Sequence, residues 1–521
     1  MILSQLVRQA NVETSASFGD AEVSVAQLDS RKCAPGTLYF CMPGTRTDSH
    51  AYLPAALAAG ASAAVVYSAE GLEAARAIGM PAILPSDPRE AAWRLCDALY
   101  GHPTRHMKVV GITGTNGKTT TAWLVRDMLA ALGMKAGYLG TLGFQIPGGE
   151  RELANTTPFT VDLYNLLKEA RDRRVEALAM EVSSHALAEK RADGVEFDVA
   201  VFTNLTQDHL DFHGTMEAYE AAKWRLFSDL PRQTEKRFRA AINVGDPTGA
   251  RWAAQMDALT FAISKLDFEA YYEAGMMPAP DILADWAGAA LHGTPKRIAV
   301  DQIHLELGLS GQADATVRAN LGGAYNAENL ISACAAVYAL GEVSDLMQGR
   351  SQSKLELVAN LASHVRPVPG RFEPVPNEAG IGILVDYAHT PDAVEKLLDT
   401  VRPLAEGRII TVIGCGGDRD KTKRPKMARA ASERSDLTVV TSDNPRTEDP
   451  RAILADVVSG IVPGRDHVAI IDRAEAVAHA VRAAKPGDVV VIAGKGHENY
   501  QIIGREKLPM DDRELARSAL R

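Results

Sequence analysis

Cysteine is scarce in this 521-residue chain. Cys33, Cys41, Cys96, Cys334 and Cys415 are odd in number, scattered, and include no CxxC pair. That spacing argues against a disulfide framework or a structural zinc and for the reduced thiols of a cytoplasmic protein. No uninterrupted apolar run approaches the ~18–20 residues of a membrane span, so no membrane association is expected. Residues 1–20 carry one basic side chain, Arg8, and no apolar h-region, so no secretory signal is expected. Positive charge is in deficit, with 56 Lys and Arg against 66 Asp and Glu and a formal net charge of -10. A nucleic-acid partner, which wants a basic face, is therefore not expected.

What is present is an ordinary globular balance, 46% hydrophobic and 23% charged residues. At ~100–200 residues per domain the length predicts about three domains. Pro and Gly interrupt regular structure at Gly101-His102-Pro103 and at Arg366-Pro367-Val368-Pro369-Gly370. The predicted division is 1–105, 106–366 and 367–521.

An apolar strand, Val109 to Thr113, runs into Gly114-Thr115-Asn116-Gly117-Lys118-Thr119-Thr120. Behind it Val125, Met128, Leu129 and Leu132 recur at helical spacing, and Gly133 closes the helix. Strand, glycine loop and helix in that order make a phosphate-binding loop. Gly117 lets the backbone approach an anion, and the amides of the helix N-terminus point at it. Lys118 is expected to neutralise the outer phosphates of ATP and the Thr119 hydroxyl to ligate Mg²⁺. The general GxxxxGK[ST] pattern would place glycine at 112, but Ile112 stands there and the glycine has moved to 114.

Ala177 to Met180 reads as a buried strand tipped by Glu181, where a phosphate-loop protein holds its metal. His209 and His213 lie four apart, but no HExxH pattern or third ligand supports zinc. His209 is read instead as a further Mg²⁺ ligand. Lys223, taken alone, reads as a surface lysine.

The C-terminal piece carries four short apolar runs, Ile381 to Val385, Ile409 to Ile413, Leu437 to Thr441 and Val489 to Ala493. Continuous rather than alternating apolar residues predict parallel strands buried on both faces. Each run gives way at once to polar residues: Asp386 to His389, Gly414 to Arg419, Ser442 to Arg446, and Gly494 to Glu498. Ligands of open α/β sheets bind beyond the carboxyl ends of the strands, so one shared site is expected there.

Taken together these segments resemble the Mur ligases, the ATP-dependent amide-forming ligases of peptidoglycan synthesis. The resemblance covers nearly the whole chain. It is carried by Thr113 to Thr120, Glu181 to His185, Thr203-Asn204-Leu205 with Asp208 to Asp211, Tyr219 to Lys223, Asn326 to Asn329, Gly370-Arg371, and Asp386 to Pro391. The displaced glycine is the family's own. The resemblance implies a three-domain α/β architecture: an N-terminal domain for a UDP-linked substrate, a central phosphate-loop ATPase-like parallel sheet, and a C-terminal Rossmann-like domain for an amino acid. Asn155-Thr156-Thr157-Pro158 and Leu28-Asp29-Ser30-Arg31 resemble signatures of the branch that builds the UDP-N-acetylmuramoyl tripeptide. Asp443-Asn444-Pro445-Arg446 resembles the segment with which members of that branch read meso-diaminopimelate.

The implied reaction joins meso-diaminopimelate to UDP-N-acetylmuramoyl-L-Ala-D-Glu through an acyl phosphate made with ATP. The implied catalytic residues are Lys118, Glu181, His209 and Lys223, the last carbamylated by CO₂ so that it supports Mg²⁺. Thr119, Glu181, His209 and carbamylated Lys223 would form the metal set. Asn329, Arg371 and Asp386 would join Gly114 to Thr120 in binding ATP. Leu28, Ser30, Thr45, Arg46, Thr47, Asn155, Thr156, Thr157, Ser183, Glu189 and Arg191 would contact the UDP-linked peptide, although glutamine is usual in the family where Glu189 stands. Arg419, Asp443, Asn444, Pro445, Arg446, Gly494 and Glu498 would hold diaminopimelate. Physical logic agrees, since a guanidinium such as Arg446 suits a distal carboxylate and Glu498 suits an ammonium. A monomer is expected, with Arg366 to Gly370 as its hinge. Leu266 to Arg297 is expected to be a surface excursion. The alternatives are an L-lysine-adding ligase, a folylpolyglutamate synthetase-like ligase, which should lack Asp443 to Arg446, and a phosphate-loop kinase.

Overall fold

Val109, Val110 and Ile112 have no room in a solvated strand, and they are fully buried. The strand they belong to is central to the computed structural model, which describes residues 1–43, 48–263, 290–340 and 353–521. The chain packs as two compact units, Met1–Leu259 with Ala339–Glu342, and Thr260–Tyr338 with Val343–Arg521.

The first unit opens with β1 (Thr14–Phe18), β2 (Val25–Gln27), β3 (Thr37–Phe40), β4 (Ala61–Val65) and β5 (Ala82–Pro85), in the order β1-β5-β4-β3-β2. A second set follows: β6 (Lys108–Thr113), β7 (Ala136–Gly140), β8 (Gly143–Ile146), β9 (Gly149–Arg151), β10 (Ala177–Glu181), β11 (Val199–Phe202) and β12 (Arg239–Asn243). These run β12-β11-β6-β10-β7-β8-β9. The first five in that order are parallel, as buried apolar runs require. One core continues from Leu38, Phe40 and Val65 to Leu95, Tyr164 and Phe197, so the N-terminal sheet shares its interior with the parallel one. Tyr100 sits at the seam: its hydroxyl accepts from the Ala26 amide at 2.8 Å and bonds the Asn165 side chain.

In the second unit β13 (Ala258–Ile263), β14 (Leu291–Ile298), β15 (Ile303–Leu309) and β16 (Ala315–Ala319) pair in sequence order. The stretch expected as a surface excursion from 266 to 297 therefore ends inside a sheet, because Leu291, Gly293 and Pro295 alternate inward against β15. The rest of that stretch, up to residue 289, lies outside the described residues. Then come β17 (Glu373–Pro374), β18 (Gly382–Asp386), β19 (Ile409–Cys415), β20 (Leu437–Ser442), β21 (His467–Ala469) and β22 (Val489–Ala493), ordered β17-β18-β22-β19-β20-β21. The four apolar runs read from the sequence are four adjacent parallel strands of this sheet. A two-stranded hairpin, β23 (Tyr500–Ile503) and β24 (Glu506–Pro509), follows. Among the described residues no helix is long and apolar enough to cross a membrane.

Candidate active site

The displaced glycine has a geometric cause. Gly114 takes φ +148°, and a Cβ there would lie 1.9 Å from Thr203 Oγ1. Only glycine lets the loop close on the segment that leaves β11. That segment grips the loop throughout: Thr203 Oγ1 donates to the Asn116 carbonyl at 2.7 Å, and the Asn116 amide donates to Asn204 Oδ1 at 2.9 Å. Gly117, at φ +82°, turns the chain into the helix Lys118–Ala131. The Lys118 ammonium donates to the carbonyls of Gly114, at 2.9 Å, and Thr115, at 2.8 Å.

Lys223 is not the surface lysine that its residue type suggests, since it is 1% exposed. The helix Met216–Ser228 aims it inward, where Nζ donates to the Gly114 carbonyl at 2.6 Å and lies 4.5 Å from the centre of the Tyr219 ring. Two lysines thus share one carbonyl. Burial, then the nearby charge of Lys118, pushes the Lys223 amine well below its usual range.

Glu181 is fully buried at the tip of β10. Its Oε2 accepts from Thr119 Oγ1 at 2.9 Å and Thr141 Oγ1 at 3.2 Å, and Oε1 from the Thr141 amide at 2.8 Å and the Tyr138 hydroxyl. Tyr138 and Thr141 went unnoticed in the sequence. The available signal was that Thr141 directly follows an apolar run whose strand, β7, is the neighbour of β10.

Of the residues expected to meet the UDP-linked peptide, Thr156, Thr157, Ser183, Glu189 and Arg191 gather on this same edge. Thr157 Oγ1 donates to the Glu181 carbonyl at 2.9 Å and accepts from the Ser183 amide at 3.1 Å, while Thr156 Oγ1 lies 3.1 Å from Thr141 Oγ1. Arg191 Nε donates to Glu189 at 2.7 Å, Nη1 to the Thr157 carbonyl at 3.2 Å, and the guanidinium covers Phe159. Glu189, the departure from the family pattern, is therefore the ion-pair partner of Arg191. Asn155 is exposed beside them. Leu28 packs on the core of the first unit and Ser30 is buried in the turn after β2, without a hydrogen bond to this edge among the described residues. Thr45, Arg46 and Thr47 lie outside the described residues.

His209 adopts φ +53° and sits 3.4 Å from Asp208, its ring 4.8 Å from that of His185. His213 Nε2 meets Ser184 Oγ at 3.0 Å. Burial, then neighbouring positive groups, lowers the pKa of His185 and of His213. Among the described residues no three His, Cys, Asp or Glu side chains converge as a metal cage. The oxygen pair of Thr119 and Glu181 fits Mg²⁺, which takes few protein ligands and completes its shell from phosphate and water.

In the second unit the polar strand ends meet as expected. Asn444, 3% exposed, donates from Nδ2 to Glu498 Oε2 at 2.9 Å, and its Oδ1 accepts from Lys495 Nζ at 3.1 Å and the Ile502 amide at 2.9 Å. Gly494, at φ +115°, would bring a Cβ within 3.1 Å of Asp443 Oδ2. Arg446 Nη1 donates to the Gly417 carbonyl at 2.8 Å, and among the described residues no hydrogen bond engages the Nε and Nη2 edge of the fork, the edge that suits an anion. Pro445 is buried, and its carbonyl would lie 1.9 Å from a Cβ at Gly417. Arg419 is exposed at the rim. Beneath them a fully buried pair, Arg473 and Asp512 at 2.7 Å, ties the ends of β20 and β22 through the carbonyls of Ser442 and Ala493.

The remaining nucleotide candidates also belong to this unit. Asp386 accepts from the amides of Phe372 at 2.7 Å and Ala388 at 2.8 Å, and burial pushes its carboxyl up against the pull of Arg371. Arg371 lies over the Tyr387 ring. Phe372 meets Tyr325 edge-on, one turn before Asn329, which is buried and bonded to Asn326.

A phosphate loop with a buried carboxylate partner and a second polar cluster at the strand ends of a Rossmann-like sheet define an ATP-dependent ligase of the Mur type. Three family models match: Mur ligase family, catalytic domain, over residues 22–95, Mur ligase middle domain over 112–337, and Mur ligase, glutamate ligase domain, over 370–496. The chain belongs to the Mur ligase family. It is 41% identical over 506 residues to a UDP-N-acetylmuramoyl-L-alanyl-D-glutamate–2,6-diaminopimelate ligase of Geobacillus kaustophilus, covering 96% of each chain. It is 43% identical to a ligase of the same name from Trichormus variabilis, covering 96% of this chain and 95% of that one. A solved structure of a protein with that name aligns at a TM-score of 0.65 and 30% identity, over 96% of this chain and 94% of the other. A folylpolyglutamate synthase of Thermotoga maritima, at 14% identity and a TM-score of 0.53, shares the fold alone.

Proposed function

We infer that this chain is an ATP-dependent amide ligase that adds meso-2,6-diaminopimelate to UDP-N-acetylmuramoyl-L-Ala-D-Glu in peptidoglycan precursor synthesis. The observation that carries the substrate is the gathering of Asp443, Arg446 and Glu498 beyond the ends of β20 and β22, the two strands that flank β19. An anion fork and carboxylates side by side suit a distal carboxylate and ammonium, which lysine's end does not match.

The γ-carboxylate of the D-Glu residue attacks the γ-phosphorus of ATP, and ADP leaves. The amine of diaminopimelate then attacks the acyl carbon, loses a proton, and expels phosphate as the amide forms. Two anions must meet in the first step, so cationic stabilisation decides its rate. Lys118 supplies it from the loop, on leaving its two carbonyls for the outer phosphates. Thr119 and Glu181 would hold Mg²⁺, which supplies charge neutralisation at the phosphates. Arg191, braced by Glu189 and Thr157, orients the UDP-linked peptide.

Carbamylation of Lys223 rests on two supports. A neutral amine is the form that adds to CO₂, and burial beside Lys118 favours that form. The product would be a carboxylate close to the loop carbonyl, a hard oxygen ligand beside the metal pair. The division 1–105, 106–366 and 367–521 is supported by three matched segments that each fall inside one part. Five free and buried cysteines suit a cytoplasmic setting.

The test is incubation with ATP, the UDP-linked dipeptide and either meso-diaminopimelate or L-lysine, with phosphate release and product mass as readouts. Absence of an amide with either amino acid would overturn the reading. A preference for lysine would overturn only the assignment of the amino acid.

A further inference from the structure

Lys495 follows β22 in the second unit, and none of its side chain is exposed. A buried ammonium is costly unless its donors are used and its charge is met. Among the described residues its polar contacts are Asn444 Oδ1 at 3.1 Å and Glu498 Oε2 at 3.3 Å. The Tyr500 ring lies 5.6 Å away. Glu498 is one of the residues that the proposed function assigns to the amino acid, and Asn444 stands in the set that the family resemblance implies.

An asparagine amide has two ways round, and its oxygen and nitrogen do opposite things. At Asn444 the choice is forced. Lys495 Nζ and the Ile502 amide are both donors, and both point at the same atom, which must therefore be Oδ1. Nδ2 is then delivered to Glu498 Oε2. That oxygen accepts from both Asn444 and Lys495, and no hydrogen bond among the described residues reaches Oε1. Asn444 itself has both acceptor positions of Oδ1 filled and is almost wholly buried, so it braces Glu498 from within the site.

On the reading given under Proposed function, we propose that Lys495 is the positioning residue of the amino-acid site, fixing the Asn444 amide and holding Glu498 by one oxygen so that the other meets the distal ammonium of diaminopimelate. Lys495 touches no reacting atom. Its effect is on recognition: the carboxylate is pre-set and does not have to be ordered by the incoming amino acid. The hairpin β23–β24 acts with it, since the Ile502 amide is the second donor to Asn444 and the Ile502 carbonyl accepts from the Arg446 amide at 3.0 Å.

The experiment uses the full chain and steady-state kinetics with each substrate varied in turn. Lys495→Met should raise KM for meso-diaminopimelate at least tenfold, while KM for ATP and for the UDP-linked dipeptide stays within twofold. Discrimination against 2-aminopimelate, which lacks the distal ammonium, should shrink by a similar factor. Lys495→Arg keeps the charge and should recover most of the loss. Asn444→Asp keeps the acceptor but removes the donor to Glu498, and should raise the same KM alone if Lys495→Met does not fold. An unchanged KM for diaminopimelate in both Lys495→Met and Asn444→Asp, or a parallel rise in all three KM values, overturns the inference while the ligase reading stands. No ligation by the unaltered chain overturns both.

Discussion

Glu181 offers a sharp test because its oxygens are fully committed. Tyr138 and the Thr141 amide donate to Oε1, and the hydroxyls of Thr119 and Thr141 donate to Oε2. In Glu181→Gln the amide oxygen can keep the Oε1 position, where the backbone N–H cannot turn away. The new NH₂ then faces two hydroxyls, which can rotate to accept. The charge-assisted bonds drop from about 1.5–3 to about 0.5–1.5 kcal/mol each, while the cost of burying a carboxylate disappears. These terms oppose, so the net change should stay within about 2 kcal/mol. Glu181→Leu fills a similar space but removes the acceptor of Tyr138 and of the Thr141 amide, at about 1–3 kcal/mol each, or about 2–6 kcal/mol together. Urea unfolding should therefore place the leucine variant well below the glutamine variant. Ligase activity should fall about 100-fold or more in both, since neither offers the metal pair its carboxylate. Equal unfolding midpoints for the two variants would refute the hydrogen-bond argument. Glutamine activity within a few-fold of the unaltered chain would refute the metal role.

Lys223→Met should abolish most ligation yet leave the chain at least as stable at pH 7. The folded pKa of Lys223 is lowered, so between that value and the ordinary ~10.5 the unfolded chain binds the extra proton and stability rises with pH. Urea unfolding at pH 7 and pH 10 should show that rise reduced in the variant; the same pH dependence in both chains would contradict it. Gly114→Ala places a methyl 1.9 Å from Thr203 Oγ1, so titration calorimetry should find ADP binding at least tenfold weaker, and affinity within twofold would count against the close-approach argument. Asp512→Ala leaves Arg473 buried without its carboxylate and should lower the unfolding free energy by about 3–5 kcal/mol in urea; a loss below about 1 kcal/mol would mean the pair is not buried as described.

Much of the site was legible because it sits where regular elements end. Apolar runs such as Val489 to Ala493 announce parallel strands, and the polar residues after them fall at one sheet edge without further information. The phosphate loop was legible for the same reason. What stayed hidden was set by contacts between distant segments. Lys223 lies in a helix whose pattern does not reveal which face is inward, and its burial is imposed by Gly114, 109 positions away in sequence. Tyr138 and Thr141 acquire their role only once β7 aligns beside β10. The final residues of the supposed excursion joined a sheet because Leu291 and Pro295 found a partner strand in β15 that no local rule specifies.

The Gly114 carbonyl, which accepts from both Lys118 at 2.9 Å and Lys223 at 2.6 Å, makes the two positions epistatic. Removing either side chain frees a carbonyl lone pair for the other, and removing Lys118 also takes away a charge that lowers the pKa of Lys223. The effects of the two substitutions will not sum in a double-mutant cycle. The two side chains therefore act as one unit at the loop, although more than a hundred residues of chain separate them.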